Sequence, residues 1–188
     1  MNRVWRGLAI LVFGVPAGSA AQTSIGEIRL QIVAGAAPAP GVVTAPADFS
    51  PPEGRALAGI AGGLSFIHRA LSAGPEVIIL RGSDRRMHAL GGVARVNLST
   101  GRVRPFVLVG AGLYSWDRKQ VPPADPSSGA RWVGDKSYLS GNAGGGVIVG
   151  ARRTALVLEV RAHRSLGVDE LFGSRNLFSL SAGGRIVW

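Results

Sequence analysis

The chain has 188 residues, a formal net charge of +10 and no cysteine. It is 46% hydrophobic and only 17% charged, and 28 of its residues are glycine. The absence of cysteine excludes a disulfide scaffold, so stability has to come from burial, from a closed hydrogen-bonded sheet or from lipid.

The N-terminal segment has the three parts of a secretory signal peptide. A basic start containing Arg3 and Arg6 leads into an apolar run at 8–15, and small residues follow at the cleavage position. The apolar run is far shorter than the ~20 residues of a membrane-spanning helix. We therefore predict that residues 1–21 are a signal peptide and that residues 22–188 form one exported domain.

The exported region shows the periodicity of strands rather than of helices. Its longest uncharged segment, 30–47, is interrupted by three prolines, and no segment carries a sustained helical apolar period. Apolar and polar residues alternate instead, as they do in half-buried strands. We predict strands at 24–33, 56–68, 75–81, 87–98, 103–116, 138–149, 154–164 and 176–188.

The connections between these strands alternate between short and long. Short connections are predicted at 69–74, 99–102 and 150–153, and long ones at 34–55, 117–136 and 165–175. The one exception is 82–86, which is short where the alternation would place a long connection. This asymmetry is typical of outer-membrane barrels, which have short periplasmic turns and long external loops. The predicted fold class is all-β, a closed up-and-down antiparallel transmembrane β-barrel of about eight strands, with both termini on the periplasmic side.

Charged residues fall on one face of the clearest strands. Glu27 and Arg29 share a face of the first strand, and Glu159 and Arg161 share a face of the seventh. Because a charge facing lipid costs roughly 2–4 kcal/mol at the bilayer midplane, this face is predicted to line the lumen. With Arg185 of the last strand, these residues form a predicted lumen charge network. In a soluble lipocalin-like barrel the orientation would be reversed.

The last strand alternates up to its final residue. Its apolar face carries Phe178, Leu180, Ile186 and Trp188, whereas Arg185 lies on the other face. The length of this segment suits a tilted membrane strand, which needs about 9–11 residues.

Three segments resemble a known family: "RPFVLVGAGLYSW", "GNAGGGVIVGARRTALVLEVRAHR" and "FSLSAGGRIVW". They are similar to the small eight-stranded outer-membrane β-barrel proteins of Gram-negative bacteria, the group of OmpA-, OmpX- and opacity-protein-like barrels. The resemblance implies a location in the cell outer membrane, no cofactor, and recognition of the C-terminal strand by the barrel assembly machinery. The implied assembly signal is Phe178, Leu180, Ile186 and Trp188, with Trp188 where the family more usually has phenylalanine.

One pair of residues indicates a catalytic alternative. His163 and Ser165 lie two residues apart on one strand face, which resembles the His-x-Ser of PagL-type lipid A deacylases. That family continues with Asn, where this chain has Leu166, and it places a Glu further on that has no counterpart here. Serine hydrolysis needs a third group to orient the histidine. We therefore expect no catalysis, and we keep the deacylase as the alternative to a structural or surface-interaction role.

The remaining predictions concern binding partners and metal sites. An adhesin or receptor acting through the long outer loops is a further alternative. Nucleic acid is not expected, because the chain is exported and its arginines are scattered rather than clustered on a basic helix. No metal site is expected, since His68, His88 and His163 lie in separate strands without clustered carboxylates. We expect a monomer that contacts outer-membrane lipid and binds lipopolysaccharide phosphates through rim arginines, namely Arg85, Arg86, Arg118 and Arg175.

Overall fold

The computed structural model describes residues 25–36, 56–83, 85–120, 131–166 and 176–188. Every strand pairs antiparallel with the strand that precedes it in the chain, and the last returns to pair with the first. The sheet is therefore a closed barrel, and the predicted fold class is confirmed. The strands are β1 Ile25–Ala36, β2 Ala56–His68, β3 Leu71–Arg81, β4 Arg85–Asn97, β5 Val103–Gln120, β6 Arg131–Gly150, β7 Thr154–Ser165 and β8 Asn176–Val187. Within the described ranges there is no helix long and apolar enough to cross a membrane.

The connections divide the barrel into two ends. β1 begins and β8 ends beside the tight connections at 69–70, 98–102 and 151–153, and we call this the short-turn end. The opposite end, called the loop end, carries the connections at 37–55, 82–84, 121–130 and 166–175.

The third strand begins earlier than predicted. Residues 69–74 were expected to form a short connection, but only Arg69 and Ala70 make the turn, with Arg69 in the left-handed region at φ 56°. The residues that follow, 71–74, belong to β3 because they pair with the neighbouring strands β2 and β4. A Cβ on Gly74 would lie 2.0 Å from the carbonyl oxygen of Leu64 in β2.

The fifth and sixth strands are longer than predicted. They were expected to end at 116 and to begin at 138, whereas the ladder continues until Gln120 pairs with Arg131. The polar residues of this extension interrupt the apolar alternation, but backbone hydrogen bonding does not require apolar side chains. A register shift between Ser115 and Asp117 marks where the extension starts. Trp132, expected in a loop, is therefore part of β6.

The sheet that forms the barrel wall directs its apolar side chains outward. In β1, Ile28, Leu30 and Ile32 are 45%, 65% and 73% exposed, whereas the alternate residues Glu27, Arg29 and Gln31 are buried. All eight strands contribute large exposed hydrophobic side chains of this kind. A soluble protein would place these side chains inside, so the barrel has the polarity suited to a surrounding of lipid.

The lumen is filled in layers. An apolar cluster near the short-turn end comprises Val93, Phe106, Leu108, Ile148 and Val157. A larger apolar cluster occupies the loop end and includes Leu57, Leu80, Met87, Trp116 and Leu177. The charged side chains of Glu27, Arg29, Glu76, Arg95, Glu159, Arg161 and Arg185 are buried in the same lumen.

Glycines of β6 allow the neighbouring strand to approach. The sequence "GNAGGG" superficially suggests a phosphate-binding loop, but these residues lie within the strand. A Cβ on Gly144 or Gly146 would lie 2.1 or 2.0 Å from a backbone oxygen of β7. Real Cβ atoms do not approach so closely, so the barrel can only be this narrow with glycine at these positions.

We expect Gly146→Ala to lower the free energy of unfolding by about 1–3 kcal/mol, because the added methyl group forces apart two paired backbones. The urea midpoint of the folded gel band would measure the change. Gly92→Ala is the matched control, since a Cβ there would meet only one atom, at 4.0 Å. Equal midpoints for the two variants would contradict the close approach of β6 and β7.

Candidate functional site

Glu27 is the centre of an ion-pair network inside the lumen. Its carboxylate lies 2.9 Å from Arg29 Nε, 3.2 Å from Arg95 Nη1 and 2.9 Å from Arg185 Nη1. Glu27 is fully buried. A buried carboxylate is stable only when it is well paired, and here three guanidinium groups from three strands surround it.

Two further carboxylates extend the network across the lumen. Glu159 accepts hydrogen bonds from Arg161 and, at 3.3 Å, from Arg95 Nη2. Glu76 forms a bidentate ion pair with Arg161, in which Arg161 Nη2 donates to Glu76 Oε1 at 2.7 Å. Glu76 Oε1 also lies 3.6 Å from Arg29 Nη1. The network therefore joins β1, β3, β4, β7 and β8 through side chains as well as through the backbone ladder.

The structure places all five predicted network residues in the lumen. Glu27 pairs with Arg29 and Arg185, and Glu159 pairs with Arg161. Arg95 joins the two groups, because it contacts both Glu27 and Glu159. Sequence reasoning missed Glu76 and Arg95. Glu76 follows Pro75 and precedes a continuous apolar run, so no alternation marked its face. Arg95 sits between alanine and valine in an alternating strand, and its inward position could have been recognised from that pattern.

His163 belongs to a separate polar cluster on the loop side of the network. Its Nδ1 lies 2.8 Å from the Tyr114 hydroxyl and its Nε2 lies 2.9 Å from Ser179 Oγ. Asn142 donates to the same Tyr114 hydroxyl at 3.2 Å. Both ring nitrogens are therefore engaged in hydrogen bonds that link β5, β7 and β8.

In the predicted alternative pair, the ring nitrogens of His163 are directed at residues other than Ser165. Ser165 lies on the same inward face of β7, and both residues are buried. A general base needs a ring nitrogen directed at the nucleophile's hydroxyl, but both nitrogens of His163 face Tyr114 and Ser179. Within the described residues no group of three or more histidine, aspartate or glutamate side chains could hold a metal ion.

The terminal strand presents its apolar face outward. Phe178, Leu180, Ile186 and Trp188 are 44%, 60%, 55% and 67% exposed. The pairing of β1 with β8, which we call the seam, ends at Trp188. The Trp188 N–H donates to the Gly26 carbonyl at 3.1 Å, and the Gly26 N–H donates to the Trp188 carbonyl at 3.2 Å.

Gly26 accommodates the ring of the terminal residue. A Cβ on Gly26 would lie 2.5 Å from the indole of Trp188, so the ring lies directly across this glycine. The sequence alone gave no signal for this contact, because the two residues are at opposite ends of the chain.

The arginines expected at the rim differ in their surroundings. Arg86 forms an ion pair with Asp117 at 2.6 Å at the loop end. Arg85 begins β4 and is partly exposed. The side chains of Arg118 and Arg175 lie outside the described residues.

Comparison with known proteins gives a likeness of fold. No protein-family model matches the sequence, and no curated protein matches it. The structure is similar to the crystal structure of Neisserial surface protein A (NspA), with a TM-score of 0.63 and 12% identity over 86% of this chain and 96% of that chain. It is also similar to the N-terminal β-barrel domain of Pseudomonas aeruginosa OprF, with a TM-score of 0.53 and 12% identity over 86% and 97%. The predicted resemblance to small eight-stranded outer-membrane barrels is confirmed at the level of the fold.

We expect Glu27→Ala to destabilise the barrel by about 3–5 kcal/mol, because it leaves three buried guanidinium groups without their shared carboxylate. Urea titration of the refolded protein would measure the loss. Gln31→Ala is the control on the same strand face, where the side chain makes an uncharged hydrogen bond to Ser181. Adding Arg185→Gln to Glu27→Ala should restore part of the stability. A loss no greater than that of the control would contradict the central role of Glu27.

Proposed function

We propose that the exported chain is an outer-membrane β-barrel protein of structural or surface-interaction role, without catalytic activity. The observation that supports this most directly is the inverted polarity of the closed wall. Large apolar side chains face outward from all eight strands, while three carboxylates and five arginines are buried inside. This arrangement is stable in lipid and would be unfavourable in water.

The filled lumen supports a role other than that of a porin. An eight-stranded barrel is just wide enough for its interior to be filled by side chains. Here the ion network and the apolar cluster at the loop end both occupy the interior. A diffusion channel would need a water-lined passage through these layers.

The engaged ring of His163 supports a non-catalytic role over the deacylase alternative. Its hydrogen bonds to Tyr114 and Ser179 direct both ring nitrogens away from Ser165 and connect three strands, which supports a structural function. Leu166 also stands where the deacylase family has asparagine.

Several features of the proposal rest on the sequence. The predicted signal peptide, residues 1–21, lies outside the described residues, as do the connections 37–55, 121–130 and 167–175 through which an adhesin or receptor would act. We further propose that the barrel is a monomer, that its loop end faces the medium, and that lipopolysaccharide and outer-membrane lipid surround it.

The outward face of β8 supports the proposal that the barrel assembly machinery recognises this strand. Phe178, Leu180, Ile186 and Trp188 are accessible on one face. Trp188 also pairs with Gly26 of β1 through two backbone hydrogen bonds.

Expression in a Gram-negative host tests the class of the protein. We expect the folded chain to fractionate with the outer membrane and to migrate differently on SDS gels before and after boiling, because a closed sheet has no edge at which unfolding begins. A protein that is extracted by carbonate and found wholly in the periplasm would contradict the proposal and favour a soluble lipocalin-like barrel.

Substitutions at the last two positions test the assembly signal. Trp188→Asp should reduce the amount of assembled barrel several-fold more than Val187→Asp, because Trp188 is outward and seals the seam whereas Val187 is only half-exposed on the opposite face. The unboiled folded band in outer-membrane fractions provides the measurement. Equal losses at the two positions would show that the outward aromatic has no special part in assembly.

A further inference from the structure

A groove lies on the outer wall near the short-turn end, across β7, β8 and β1. Its volume is about 740 Å³. Exposed side chains of Ile28, Leu30, Leu156 and Ile186 form its sides. Gly184 lies among them, and no heavy atom stands within 4 Å of the position that its Cβ would occupy. A missing side chain in a row of large apolar ones therefore creates a depression in the lipid-facing wall.

At the short-turn end, the groove borders a basic turn. Gly150 and Thr154 line the groove, and the turn between them carries Arg152 and Arg153, both exposed. The groove thus borders a turn whose two central residues are exposed arginines.

The turn is held in place from three sides. Arg104 donates to the Ala151 carbonyl at 3.2 Å, the Val187 N–H donates to the Arg153 carbonyl at 2.8 Å, and the Gly150 N–H donates to the Arg102 carbonyl at 2.9 Å. A ligand that binds there does not have to order the backbone first, which lowers the entropic cost of binding.

We propose that this groove and turn form a binding site for an anionic glycerophospholipid of the membrane leaflet at the short-turn end. One acyl chain lies over Gly184, and the headgroup phosphate pairs with Arg152 and Arg153. Guanidinium groups bind phosphate in a two-pronged geometry. The inference rests on the proposed membrane location of the barrel.

A phospholipid suits the site better than the other occupants of a membrane wall. A second copy of the chain, related by a two-fold axis along the membrane normal, would bring the two Arg152–Arg153 turns towards each other, and like charges would repel. Lipopolysaccharide has phosphate and acyl chains too, but in the proposed orientation it lies at the loop end.

The experiment uses the refolded full-length barrel, with native mass spectrometry of the lipids it retains from vesicles of phosphatidylglycerol and phosphatidylcholine. We expect roughly fivefold preferential retention of phosphatidylglycerol, given the typical attraction of one or two surface arginines to anionic lipid. Arg152→Gln with Arg153→Gln should abolish the preference, whereas Arg69→Gln, at another exposed turn of the same end, should leave it unchanged. Gly184→Leu should reduce retention of both lipids, and Gly92→Leu, on the outward face of β4, should not.

The outcomes separate the lipid site from the proposed function. A barrel that does not insert into vesicles contradicts the membrane location itself. A heat-modifiable barrel that inserts but retains both lipids equally, or that loses its preference with Arg69→Gln, overturns the lipid site alone. Displacement of phosphatidylglycerol by equimolar lipopolysaccharide, or a dimer that Gly184→Leu dissociates, would assign the groove to one of the other occupants and overturn the proposal.

Discussion

The pairing of β1 with β8 is the contact on which the remaining structure depends. Ten residue pairs, from Glu27 with Val187 to Ala36 with Phe178, join the two ends of the chain and remove the free edges of the sheet. In lipid this closure is required, because an unpaired backbone group there costs several kcal/mol. The terminal contact between Trp188 and Gly26 extends the same seam to the last residue.

Closure with eight strands makes the lumen narrow. The buried charges and the glycine-rich strands both follow from this narrow lumen. Charged side chains in such a lumen are removed from water, so they must find one another. Four of the five buried arginines pair with the three glutamates across five strands, and the fifth, Arg104, donates to the Ala151 carbonyl. The Phe106 ring lies 4.4 Å from the guanidinium carbon of Arg95. A ring face near a guanidinium contributes a further attraction that does not require a counter-charge. Buried charge and glycine-rich strands are thus two consequences of the same geometry.

The sequence was most informative where one face is apolar and the other polar. In β7 and β8 the alternation shows which residues face inward, including Glu159, Arg161 and Arg185. Strand ends were less predictable, since the extension of β5 to Gln120 depends on backbone pairing rather than on side-chain polarity. The partners of His163 and the contact of Gly26 with Trp188 could not be derived from the sequence, because they depend on which distant strands meet across the barrel.

We propose that the barrel wall faces lipid with its apolar side and encloses its charges. The natural chain lacks cysteine, so single cysteines at successive positions of β7 can carry a spin label in vesicle-inserted protein without a background signal. The collision rate with oxygen, which concentrates in lipid, should be high at Leu156, Leu158 and Val160 and low at Val157, Glu159 and Arg161. A pattern without this period of two, or one with the highest collision rates at the charged positions, would contradict the account.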